Sequence, residues 1–177
     1  MIKEPSLYET LSNWAQHVEP KLYSKFIPGL AGKLYDHGAR RNGQGLCYPM
    51  TSIGCLAINN RFETPTYRVS GHYTDDSGRE HPHTWMRAEN QNEKVSVDLT
   101  YGQIGTKNKT LVIPTTAEKD NYLFLHKEKS TATLRDINDV IFDYIDFMKW
   151  SGFTNYMIKE KKIEEQLKDV YKHFLEA

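Results

Sequence analysis

The chain lacks both an excess of charge of one sign and a long apolar run. Its 23 Lys and Arg residues balance 23 Asp and Glu residues, so the formal net charge is zero. This balance gives no reason to expect nucleic acid or an anionic membrane surface as a partner. No window approaches the ~18 consecutive apolar residues of a membrane span, and residues 1–5 contain no apolar signal region. We therefore expect a soluble, cytoplasmic protein.

Cysteine is also scarce, with only Cys47 and Cys55 in 177 residues. The surrounding pattern places both in one helix, where eight positions correspond to about 12 Å at ~1.5 Å per residue, too far for a disulfide. This spacing favours a reducing compartment. Internal repeats, low-complexity linkers and domain boundaries are also lacking. We therefore predict a single domain over residues 1–177.

What the sequence does contain predicts an α+β fold. Ser6 and Glu9 have the spacing of a capping box, and apolar residues at helical spacing follow them. Alternating residues predict a strand at 66–74, and a shorter strand is expected at 110–114. Two amphipathic runs fill the last third, the first with Thr133 as its cap. We expect N-terminal helices, a central antiparallel sheet with one helix packed on it, and a C-terminal helical pair.

Cys47 is the candidate nucleophile. The polar, glycine-rich segment 36–45 leads to it, and an apolar-periodic run begins directly afterwards, with Pro49 at a first-turn position. Cys47 is therefore predicted to lie at or just before a helix N-terminus. The free N–H groups there stabilise a thiolate and can receive an oxyanion. The alternative is that Cys47 is a small buried hydrophobic residue, which is the role predicted for Cys55.

A predicted hairpin brings a histidine and a carboxylate together. Its first strand is expected to begin at His83, residues 90–93 form a tight turn, and Asp98 lies in the middle of the second strand. Because antiparallel arms place their residues side by side, the imidazole and the carboxylate can meet. These two groups are the base and its orienting residue in a hydrolytic triad. His81 is a competing candidate for the base.

The same histidines allow a second chemistry. His81 and His83 point to one face of a strand, and with His72 and Asp98 they could ligate a metal ion. Pro82 distorts such a strand, and no compelling fourth ligand is present. We therefore expect no metal and no cofactor.

These motifs resemble the transglutaminase-like core of the papain-type thiol enzymes. The resemblance covers residues 44–105 and depends on the order of Cys47, the motif His83-Thr84-Trp85, Glu89 and Asp98. It implies that Cys47 is the nucleophile, His83 the base and Asp98 the orienting residue, with Trp85 packed beside the site.

The end of this segment adds to the resemblance and also shows a departure. The run from Asp98 to Gln103 is similar to the Asp-x-Thr-x-x-Gln of small bacterial relatives of the group. Papain-type enzymes place an oxyanion-binding glutamine a few residues before the cysteine, but Gln44, three residues before Cys47, is not at the familiar distance. The backbone N–H of Cys47 is therefore the better oxyanion donor, with Gln44 and Gln103 as further candidates.

The resemblance implies a thiol hydrolase or acyltransferase that forms a thioester at Cys47. Peptide hydrolysis, glutamine deamidation and acyl transfer all pass through that intermediate, and the expected substrate is a protein or peptide. Small proteins of this type in bacteria or phages can be effectors or toxins that act on a host protein. The alternative is a binding or inhibitory protein on the same scaffold, which the many tyrosines, eleven in all, would suit.

Overall fold

The computed structural model describes residues 4–30, 46–74, 80–104, 110–118, 124–130, 135–150 and 161–177. The α-helices are α1 (Leu7–Lys21), α2 (Cys47–Phe62), α3 (Ile137–Trp150) and α4 (Lys161–Glu176). The strands are β1 (Thr66–Thr74), β2 (Glu80–Glu89), β3 (Lys94–Asp98), β4 (Leu111–Pro114) and β5 (Phe124–Ser130). The predicted α+β class is confirmed. Within the described residues, no helix combines the length and the apolar character needed to cross a membrane.

The N-terminal helix begins with the predicted capping box. Ser6 Oγ accepts a hydrogen bond from the Glu9 N–H at 3.1 Å, and Glu9 Oε2 accepts one from the Ser6 N–H at 2.9 Å. Pro20 lies inside α1, yet the backbone stays helical to residue 30 through a π-helical stretch at Leu22–Phe26. Proline lacks the N–H that an α-helix uses and crowds the carbonyl four residues before it. The wider turns that follow Pro20 let the helix continue in spite of this defect.

The sheet is antiparallel throughout, with the strand order β4-β3-β2-β1-β5. Strand β1 has the predicted bounds, but β2 begins at Glu80, before His83, because β1 is long enough to pair with it from Thr74. Asp98 is the last residue of β3 rather than a central one. Its Oδ1 accepts hydrogen bonds from the N–H and the hydroxyl of Thr100, and this Asx-type turn ends the strand.

The turn between β2 and β3 is the tight turn that the sequence predicts. The Asn90 N–H donates to the Glu93 carbonyl at 3.0 Å. The side-chain oxygen of Asn90 accepts from the N–H groups of Asn92 and Glu93 at 2.9 and 2.7 Å. The side chain thus satisfies the backbone of the turn and fixes the register of the two strands.

Strands β2 and β3 pair over only part of their length. Their partners run from Glu89 and Lys94 to Met86 and Val97. The part of β2 that precedes Met86 pairs with β1 alone. Pro82, which has no N–H to give to a ladder, lies in this one-sided part of the strand. At the level of His83, β2 therefore has a backbone partner on one side only.

Helix α2 fills the centre of the molecule. All its residues from Pro49 to Ile58 are buried, which explains why its sequence is apolar on every side. Cys55 is 4% exposed, so its predicted place in the core is confirmed. Burial raises the pKa of the Cys55 thiol to about 12.

The C-terminal helices cover α2. Asp136 caps α3 by accepting hydrogen bonds from the N–H groups of Asn138 and Asp139 at 2.7 and 3.1 Å, whereas Thr133, the predicted cap, lies outside the described residues. The face of α4 that was predicted to be buried is buried at Ile163, Leu167, Val170 and Phe174. The Trp14 indole donates to the Phe174 carbonyl at 2.9 Å and joins α1 to α4.

We predict that Gly54→Ala lowers the free energy of unfolding. A Cβ at this position would lie 2.3 Å from Met86 Sδ and 2.7 Å from Met86 Cε, in the core between α2 and β2. Alanine gains about 1 kcal/mol of helix propensity, but overpacking a core costs about 1–3 kcal/mol, so we expect a net loss of about 1 kcal/mol in urea unfolding. The same substitution in a Met86→Val background should cost less, because valine lacks the clashing atoms. An equal cost in both backgrounds would contradict this explanation.

Candidate active site

Cys47 is the first residue of α2, as predicted, and its side chain is partly exposed. Leu46 is the N-cap residue, and being apolar it offers no side-chain acceptor to the N–H groups of the first turn. Pro49 has no N–H, and the Met50 N–H donates to the Leu46 carbonyl at 3.1 Å. The N–H groups of Cys47 and Tyr48 therefore belong to the first turn of the helix, at the positive end of its dipole.

The face of α2 that carries Cys47 is hydrogen-bonded to β2. Thr51 lies one turn after Cys47 on the same face, and its hydroxyl donates to the Thr84 carbonyl at 3.0 Å in a buried hydrogen bond. Thr84 lies between His83 and Trp85 in β2. This bond fixes the distance between the start of the helix and the strand that carries the histidine.

The neighbouring face of α2 is joined to β1 and α3 by side-chain hydrogen bonds. Arg68 Nη1 donates to Ser52 Oγ at 2.8 Å and to Asp143 Oδ2 at 2.7 Å. The Tyr48 hydroxyl donates to the same Asp143 oxygen at 3.0 Å, and the Arg68 guanidinium lies 4.0 Å from the centre of the Tyr48 ring. Tyr144, the next residue of α3, is buried, and burial together with the charge of Cys47 raises the pKa of its hydroxyl. Helix α3 therefore packs next to the start of α2, with Asp143 bonded to Tyr48 and Tyr144 near Cys47.

His83 and Asp98 form a buried pair. His83 Nε2 lies 2.6 Å from Asp98 Oδ2, and the two residues are 3% and 1% exposed. The other carboxylate oxygen accepts the N–H and the hydroxyl of Thr100 at 2.9 and 3.1 Å. Both oxygens of Asp98 are thus engaged, and the carboxylate holds the imidazole in one orientation.

The side chains of Cys47 and His83 also interact, through charge and through a hydrogen bond that acts on the pKa of the imidazole. Burial lowers the pKa of His83, but the charge and hydrogen bond of Asp98, together with Cys47, raise it to about 10. This raised pKa favours the protonated imidazole, which is the form that stabilises a neighbouring thiolate.

The structure therefore brings Cys47, His83 and Asp98 into one chain of contacts. Trp85, predicted to lie beside them, is fully buried, and its ring centroid is 6.3 Å from that of His83 with an interplanar angle of 20°. His81, the competing base, lies two residues earlier in β2 and is half-buried. The carboxylate of Asp98 contacts His83.

The side chains of Gln44 and Gln103, the two further oxyanion candidates, lie outside the described part of the chain. Gln44 lies outside the described residues, and Gln103 is described only by its backbone, in a 3₁₀ helix at Tyr101–Ile104. Among the described residues, no three His, Cys, Asp or Glu side chains are grouped so that they could hold a metal ion. Among these described residues, His72, His81, His83 and Asp98 are thus not grouped as the ligands of the alternative metal site.

Several residues at the site were not anticipated from the sequence. Thr51 and Ser52 are two hydroxyl residues in an otherwise apolar helix, each one turn from the nucleophile or its neighbour, and that pattern is a usable signal. Arg68 and Asp143 are 75 positions apart, and no local pattern links them. Glu118 bonds to Trp85 from a segment with no motif of its own.

Comparison with protein-family models, with curated proteins and with solved structures found no match to this chain.

Proposed function

We propose that the protein is a cysteine-dependent hydrolase or acyltransferase that acts on an amide or acyl group through a thioester at Cys47. The main support is the buried His83–Asp98 pair, with its 2.6 Å contact, hydrogen-bonded to a cysteine at a helix N-terminus. A merely structural cysteine needs neither a histidine held by a buried carboxylate nor partial exposure. Only the sulfur of the three groups is open to a substrate, which is the arrangement expected of a nucleophile with its supporting base.

The reaction begins when the Cys47 thiolate attacks the carbonyl carbon and forms the S–C bond. The carbonyl electron pair moves to oxygen, and the N–H groups at the start of α2 donate hydrogen bonds to the oxyanion that forms. His83 gives its proton to the leaving amine or alcohol as the C–N or C–O bond breaks, and the thioester remains at Cys47. Water or an amine, deprotonated by the neutral imidazole, then attacks the thioester and restores the thiol. The identity of this second nucleophile separates hydrolysis and deamidation from acyl transfer.

We predict that p-nitrophenyl acetate acylates the protein once, at Cys47. The thiolate displaces p-nitrophenolate, so a burst equal to the protein concentration should precede slow turnover, and peptide mapping should place a hydroxylamine-sensitive acetyl group on Cys47. Cys47→Ala should abolish the burst, and Cys55→Ala, the matched control, should leave it intact. A primary amine that accelerates loss of the acetyl group would indicate acyl transfer. Acetylation of both cysteines at the same slow rate would contradict the proposed function.

A binding protein without turnover is the second candidate. Phe142 is 66% exposed on α3, next to Asp143, which contacts both Tyr48 and Arg68. Exposed aromatic side chains often anchor protein–protein contacts. An exposed aromatic on the helix that contacts Tyr48 suits either a protein substrate or a protein that is bound and released unchanged. The acylation experiment separates the two roles, because a binding protein has no need of a reactive thiol.

A further inference from the structure

Glu118 is a buried carboxylate outside the Cys47–His83–Asp98 chain. It follows the short 3₁₀ helix at Thr115–Ala117 and is 1% exposed. Its Oε1 accepts the Trp85 indole N–H at 3.2 Å and the Ser96 hydroxyl, and Arg87 donates to both of its oxygens at 2.5 to 3.2 Å. A carboxylate in the interior is costly unless it is paired, and here Arg87 neutralises its charge.

The partners of Glu118 lie on the strands that carry the proposed base and its orienting residue. His83, Trp85 and Arg87 are two positions apart and therefore lie on one face of β2. Ser96 precedes Asp98 by two residues on β3. Arg87 and Ser96 are register partners, one pair from the point where the ladder ends at Met86 and Val97. The His83–Asp98 contact is therefore made beyond the last backbone pair, where the ladder no longer fixes the distance between the strands.

Trp85 connects Glu118 to the histidine. The indole lies nearly parallel to the imidazole, with centroids 6.3 Å apart and an interplanar angle of 20°. A hydrogen bond at the indole N–H fixes the rotation of the Trp85 ring, and a fixed ring limits the positions open to the imidazole beside it. The Ser96 hydroxyl donates to the same carboxylate from β3, so Glu118 is hydrogen-bonded to both strands.

We propose that Glu118 is a positioning residue for His83, acting through the Trp85 indole on one strand and through Ser96 on the other. This inference rests on the proposed function, because it concerns the geometry of the Cys47–His83 pair. Arg87 balances the charge of Glu118. We therefore expect Glu118 to affect the position of the His83 imidazole and not the net charge near it. Neither Glu118 nor Trp85 takes part in a bond-making step.

The test compares Trp85→Phe with Trp14→Phe. Both substitutions keep an aromatic ring and remove one buried indole hydrogen bond, to Glu118 in the first case and to the Phe174 carbonyl in the second. We expect Trp85→Phe to slow alkylation of Cys47 by iodoacetamide at pH 6 by roughly tenfold, as misplaced catalytic groups do, and to change the pH profile of that rate. Trp14→Phe should lower the melting temperature and leave the rate and its pH profile unchanged.

Ser96→Ala provides a second variant that keeps every charge and every tryptophan, in case Trp85→Phe does not fold. It should also slow alkylation, by less than Trp85→Phe, because it releases only the β3 side of the carboxylate. A wild-type rate and pH profile in both folded variants would overturn the inference while leaving the proposed function intact. Slow alkylation of Cys47 in the wild-type protein, no faster than Cys55, would instead overturn the proposed function and this inference with it.

Discussion

Iodoacetamide at pH 6 is expected to alkylate Cys47 far faster than Cys55, and His83→Ala is expected to remove most of that advantage. An ordinary thiol with a pKa of ~8.5 is less than about 1% thiolate at pH 6, whereas a thiol beside an imidazolium is largely thiolate. The lower intrinsic nucleophilicity of such a thiolate offsets part of this difference, so we expect His83→Ala to slow Cys47 by roughly 10- to 100-fold. Burial and a pKa raised to about 12 keep Cys55 unreactive.

The control for this experiment is His17→Ala. His17 is exposed on α1, and its ring contacts the Asn13 carbonyl at 2.7 Å. Its removal should leave both alkylation rates unchanged. Peptide mapping after a short pulse of labelled iodoacetamide gives the two rates in one sample. Equal, slow labelling of Cys47 and Cys55 in the wild-type protein would favour the binding protein over the enzyme.

The second large effect concerns the dependence of stability on pH. The pKa of His83 is raised in the folded protein from its ordinary value of 6.5 to about 10, so the folded state binds more protons than the unfolded state between these values. The stability contributed by the protonated His83 is therefore fully present below pH 6.5 and is lost as the pH rises toward 10. We expect this loss to reach roughly a few kcal/mol in urea unfolding of Cys47→Ala between pH 6.5 and 9.5, since this variant has no thiolate that would make an opposing contribution.

Asp98→Asn separates this contribution from that of every other titrating group. Without the carboxylate, burial lowers the pKa of His83, so the variant should not lose stability through His83 as the pH rises above 6.5. Both proteins carry Cys47→Ala, so no thiol titrates beside the imidazole, and the other acids and bases cancel when the two pH profiles are subtracted. Parallel profiles with and without Asp98→Asn would show that the pair does not hold a proton in the folded state.

Features that depend on a few neighbouring residues could be predicted from the sequence. The Ser6–Glu9 capping box, the bounds of β1 and the position of Cys47 at a helix start all follow from local hydrogen-bonding rules and side-chain periodicity. The meeting of His83 and Asp98 could be anticipated because a tight turn joins their strands. Two strand ends were predicted wrongly, the start of β2 and the position of Asp98, because pairing with a distant strand and a side-chain bond to Thr100 decide these boundaries.

The sequence by itself determined that this chain combines helices with an antiparallel sheet, and that a cysteine begins the helix packed on that sheet. Periodicity and capping carry that information, because they act over one or two turns. Only the tertiary structure decided that His83, rather than His81, faces Asp98, and that Arg68, Asp143 and Glu118 fix the elements around the sulfur. Such contacts join residues up to 95 positions apart, and they form only when packing of the apolar core brings their strands and helices together.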